Sequence, residues 1–87
     1  MNFVNEDAIL IEVLLNEQRK AGKHWVAFDE TIPRLSKDDL TCFSSVYDVK
    51  QYCFENSIGK ERYTFCTIDK MQGAVEVAMK KIFRHHK

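Results

Sequence analysis

Two short aromatic runs, His24-Trp25-Val26-Ala27-Phe28 and Tyr63-Thr64-Phe65-Cys66-Thr67-Ile68, stand on either side of an amphipathic stretch with helical spacing. Aromatic and β-branched residues suit the pleated, half-buried surface of a sheet, so the pattern predicts two strands with a helix between them. The first run carries large side chains on both faces, as a strand covered on two sides would. The second alternates, with Tyr63, Phe65 and Thr67 on one face and Thr64, Cys66 and Ile68 on the other. In a chain of 87 residues this pair decides most of the architecture. A domain of that size buries about 60–65% of its unfolded surface on folding, and residues 1–87 read as one domain.

Three helices are expected around the strands. The first covers residues 6–21, with Asn5 as N-cap, Glu6 and Asp7 at the positive end of the helix dipole, Arg19 and Lys20 in the last turn and Gly22 closing it. Its apolar residues Ala8, Leu10, Ile11, Val13, Leu14 and Leu15 take up more than half the circumference, and Ile9 projects from the polar side. So wide a stripe suits a central helix, or one that also serves a dimer interface.

The second helix is expected over residues 37–55. Ser36 with Asp39 forms a capping box, and Leu35 with Leu40 occupies the hydrophobic-staple positions. Leu40, Cys42, Phe43, Val46, Tyr47, Val49, Cys53 and Phe54 then share one face, with Tyr52 on the other side and Lys50 laid along Tyr47 and Phe54. The phase runs unbroken through Ser44 and Ser45, which predicts one helix and argues against a winged-helix arrangement. The third helix is expected over 70–83, capped by Asp69 and Gln72, with Met71, Ala74, Val75, Ala78, Met79 and Ile82 on its buried face.

Pro33 forces the intervening connection out of helical geometry. Eight extended residues reach roughly 26 Å, enough for the chain to reverse there. The expected fold is therefore α+β in the order α-β-α-β-α, three helices packed on a two-stranded sheet. Antiparallel pairing is preferred to a parallel βαβ unit, because antiparallel pairs outnumber parallel ones by about two to one.

The chemistry-bearing residues form no recognisable catalytic pattern. Cys42, Cys53 and Cys66 lack zinc-ligand or CxxC spacing, and their odd number points to reduced thiols. Cys66 and His24 become neighbours if the two strands pair, but nothing orients the imidazole. His85 and His86 project about 100° apart on a helix, a poor chelate. Asp38 and Asp39 serve a helix start, Asp29 and Glu30 a loop, and the isolated Gly22, Gly59 and Gly73 make no phosphate-binding loop. No enzyme activity, metal or cofactor is expected. Glu6 and Asp7 stand where a signal peptide would be basic, and the apolar run 8–15 is interrupted by Glu12 and too short to span a membrane. The expected location is the cytoplasm, without membrane association.

Net charge is zero, but residues 1–59 carry a balance of −4 and residues 60–87 one of +4. Lys70, Lys80, Lys81, Arg84 and Lys87 share one arc of the third helix, a stripe that suits an acidic protein or phosphates. Tyr52 and Phe83 add aromatic side chains at the margins of their helices. Together these seven residues are the candidate partner-binding set. The expected role is a small adaptor or regulatory module that binds a protein partner and can self-associate through its first helix or a sheet edge. The alternative is a nucleic-acid-binding protein that uses the basic face of the last helix.

Overall fold

Burial of one strand on every side organises the fold. The computed structural model describes residues 5–59 and 61–84, with side chains over 7–59 and 61–80. Its elements are α1 (Asn5–Lys20), β1 (Trp25–Asp29), β2 (Thr41–Phe43), α2 (Val46–Glu55), β3 (Tyr63–Thr67) and α3 (Ile68–Arg84). A single 3-10 turn, Lys37–Asp39, precedes β2. The sheet is antiparallel in the order β2-β1-β3, so the early aromatic run is the central strand.

The class is α+β and the β1–β3 pairing is antiparallel, as expected from the sequence. The strand count is corrected, because the sheet has three strands and not two. The third comes from the front of the segment expected to be one helix over 37–55. Thr41, Cys42 and Phe43 pair with Ala27, Val26 and Trp25. Two physical reasons explain the break. Ser45 is extended (φ −145°, ψ 160°), and its hydroxyl accepts the Asp48 N–H at 3.2 Å, which starts a new helix. A strand as buried as β1 also needs a backbone partner on each side. The break creates no helix-turn-helix, since what precedes it is a strand.

Local signals fared unevenly. Asp39 does receive the Ser36 N–H at 2.8 Å and the Ser36 hydroxyl at 3.0 Å, but the turn they close ends at Leu40, whose backbone is extended. Leu35 and Leu40 are both buried in the same core, but they do not form the expected helical staple, because Leu40 is extended and lies outside any helix. The expected Asp69–Gln72 cap does not form. Thr67 caps α3 instead, its hydroxyl accepting the Lys70 N–H at 3.1 Å. Asp69 pairs with Arg19, and the Gln72 amide donates to Asn16 Oδ1 at 2.7 Å, both tying α3 to α1. Gly22 closes α1 at φ +89°, where the Lys23 N–H reaches Gln18 C=O and the Gly22 N–H reaches Arg19 C=O, each at 3.0 Å. The Asn5 side chain lies outside the described set.

The main core lies between the sheet and the α1/α3 pair. Ala8, Ile11 and Leu15 of α1 and Met71 and Val75 of α3 meet Val26 and Phe28 of β1, with Ile68, Leu35 and Leu40 closing the cluster. The helical spacing of the α1 and α3 residues and the two-residue spacing of Val26 and Phe28 are the two periods that face a common core. By the same alternation Trp25, Ala27 and Asp29 face the other side of the sheet. There α2 packs over β1 and β2 with Val49 as its one fully buried residue.

Replacing Ser45 with Ala removes the cap that ends β2 and starts α2. The expected loss is about 1 kcal/mol, read as a lower urea midpoint with an unchanged slope.

Candidate interaction surface

The ten residues of α2 decide which aromatic side chains meet solvent. With the helix starting at Val46, Val49 points at the sheet and Tyr52 follows it inward. The Tyr52 ring lies 5.4 Å from Phe43 and 6.1 Å from Tyr63, and the residue is half-buried. Tyr47 and Phe54, placed on the buried face by the continuous-helix reading, are instead 72% and 87% exposed. That reverses the expected roles of Tyr52 and Phe54. A capping signal at Ser45 and Asp48, the same kind read at Ser36 and Asp39, was present in the sequence and marks the shift.

Between α2 and β3 runs an open groove of about 610 Å³, lined by Val49, Lys50, Cys53, Phe54, Ile58 and Phe65 among others. Phe65 is 39% exposed and meets Trp25 edge-on at 5.7 Å between ring centres. Lys50 is exposed at the rim and does not cover Phe54. The groove exists because α2 sits chiefly over β1 and β2 and meets β3 through Tyr52 against Tyr63, leaving Phe65 of that face exposed. A second exposed apolar patch, Ile9, Leu10 and Val13, lies on the outer side of α1.

The other residues singled out by sequence are dispersed. Lys70 and Lys80 are exposed on α3, with the exposed Val77 between them. The side chains of Lys81, Phe83 and Arg84, and all of His85, His86 and Lys87, lie outside the described set. His24 is exposed and its carbonyl pairs with Ile68, while Cys66 stands opposite Val26. Burial pushes the Cys66 thiol above its ordinary range, against a smaller pull from Lys70. The Cys42 thiol is pushed up in the same way, against Lys23. Both thiols are thus held protonated, the reverse of what a nucleophile needs. Among the described residues no three His, Cys, Asp or Glu side chains gather to hold a metal ion. No described helix is long and apolar enough to cross a membrane.

No protein-family model, curated protein or solved structure matches the chain.

Asp29, at the end of β1, organises the mouth of β3. Its Oδ1 accepts the Thr31 hydroxyl at 2.6 Å and the Thr31 N–H at 2.8 Å, and its Oδ2 accepts the Arg62 guanidinium at 2.8 Å. The Thr31 hydroxyl first, then Arg62, hold the carboxyl down from 3.8 to about 2. Because the folded value is the lower one, the ionised form stabilises the fold fully above the ordinary value and loses that effect as pH falls toward 2. Asp29→Asn is expected to lower the urea midpoint at neutral pH. The gap to wild type closes as pH falls from 3.8 to about 2, which a midpoint series across that range measures.

Proposed function

We propose that the protein is a non-catalytic adaptor or regulatory module that binds protein through the α2–β3 groove. The carrying observation is the exposure of Phe54, at 87%, beside an apolar groove that also shows Phe65. Large aromatic side chains at the rim of an apolar depression are the usual anchors of protein interfaces. The protonated, partly buried Cys42 and Cys66 support a role without covalent chemistry. Three free cysteines suit a reducing compartment, and the proposed location is the cytoplasm.

A second reading, nucleic-acid binding through α3, draws on the exposure of Lys70 and Lys80 on one helix. Phosphate contacts of that kind are lost as salt rises.

Two experiments decide between them. Phe54→Asp is expected to keep the fold, because the ring is exposed, and to abolish protein capture that the wild type shows from native extract. Equal capture by both would overturn the groove as the binding surface. For the second reading, low-salt retention on heparin that falls with Lys70→Glu/Lys80→Glu is the supporting result; passage of the wild type without retention removes it.

A further inference from the structure

The outer edge of β3 is an unguarded strand edge. Tyr63–Thr67 contains no charged residue, proline or glycine, the devices that keep an edge from pairing. The opposite edge, β2, is only three residues long. The hydrogen bonds of β3 define what the open edge offers. His24 C=O accepts the Ile68 N–H at 2.9 Å, and the Glu30 N–H reaches Arg62 C=O at 2.7 Å. Antiparallel ladders alternate bonded and unbonded pairs, so with Val26 opposite Cys66 and Phe28 opposite Thr64 the even-numbered residues of β3 face β1. Tyr63, Phe65 and Thr67 direct their backbone groups away from it, to the open edge.

Two of those outward groups are engaged at home. The Tyr63 N–H donates to Gly59 C=O at 3.3 Å. Thr67 caps α3, and the carbonyl of an N-cap residue accepts the first helical bond. What remains, without a partner among the described residues, is the Tyr63 carbonyl, both groups of Phe65 and the Thr67 N–H.

This set is complementary to itself. We propose that β3 is a dimerisation strand, on which two copies of the chain pair antiparallel about a two-fold axis at Phe65. Each Phe65 N–H then donates to the other Phe65 carbonyl, and each Thr67 N–H donates to the other Tyr63 carbonyl. All four open groups on each copy are satisfied. An unrelated extended peptide fits less well. Its carbonyl opposite Tyr63 and its N–H opposite Thr67 would face groups already in use, and buried backbone groups need partners. The two sheets join into one of six strands, three from each copy. Because Phe65 opposes Phe65, both α2 helices lie on the same face, and the exposed Phe65 rings meet beside the two grooves that hold Phe54. On the other face Thr64 of one copy opposes Cys66 of the other, with no charge in the seam.

The inference rests on the reading of the α2–β3 surface as a protein-binding surface and names a second copy as its occupant. It is tested by light scattering and sedimentation over micromolar to millimolar chain. Wild type is expected to move toward twice the chain mass. Phe65→Lys and Phe65→Asp each place like charges across the axis and are expected to weaken dimerisation by about tenfold or more. An equimolar mixture of the two variants pairs Lys with Asp and restores the dimer. Circular dichroism of each variant alone checks that the fold persists. Register is read separately in Thr64→Cys. The introduced thiol then faces Cys66 of the other copy across the seam, a close, unbonded pair with Cα atoms about 4.5 Å apart, within disulfide range. Diamide, taking two electrons and two protons from the thiols, is expected to give a covalent dimer that is lost in Thr64→Cys/Cys66→Ser. A wild type that stays monomeric throughout overturns the proposal. So does a dimer that survives both Phe65 variants and does not cross-link at position 64. In either case protein capture that still depends on Phe54 leaves the groove reading standing, whereas loss of both removes the two together.

Discussion

The central strand is the constraint on which the rest of the structure depends. Val26, Ala27 and Phe28 are all buried, so the middle of β1 is shielded from water on both faces. Each backbone group left unpaired in such a place costs about 1–3 kcal/mol, and the strand therefore needs a ladder along both sides. β3 supplies one ladder from an obvious strand sequence. The other must come from residues with weaker preferences, and Thr41-Cys42-Phe43 is drawn out of a helical pattern to provide it. The aromatic and β-branched content of that triplet suits it to the exchange.

The exposed groove is a consequence of the same event. With its first turns given over to β2, α2 starts at Val46 and turns a different face to the sheet than a longer helix would. Tyr52 goes inward to Phe43 and Tyr63, while Tyr47 and Phe54 go out. The shorter helix packs chiefly over β1 and β2 and reaches β3 at Tyr63 through Tyr52, while Phe65 stays exposed. Function is thereby proposed where the fold is least finished: at an uncovered sheet margin whose neighbours are apolar and whose backbone is only partly paired.

Charge plays a smaller part. The acidic first part and basic last part of the chain meet in Asp29–Arg62, whereas Arg19–Asp69 runs the other way. Both pairs have at least one well-exposed partner, and such pairs contribute little to stability. Their structural effect is positional, since one holds the loop before β3 against β1 and the other sets α1 against α3. Lys70 and Lys80, the described cations of the α3 stripe, take part in neither pair.

Much of the framework was legible from residue order alone. The aromatic runs became β1 and β3, Gly22 closed α1, and Ala8, Ile11, Leu15, Met71 and Val75 formed the core that their helical spacing implied. These features depend on near neighbours and on period, both of which a sequence displays directly. The candidate surface was not legible in the same way. Residues 37–55 carry a helical period that is locally consistent, and nothing within the segment states that β1 lacks a second partner. That requirement arises only when β1, well removed along the chain, is already buried. Sequence by itself determined which segments are apolar and with what period. The tertiary structure decided which of two periods Thr41–Phe43 would follow, and so which aromatic rings of α2 were buried, because the unpaired backbone of β1 outweighed one helical face.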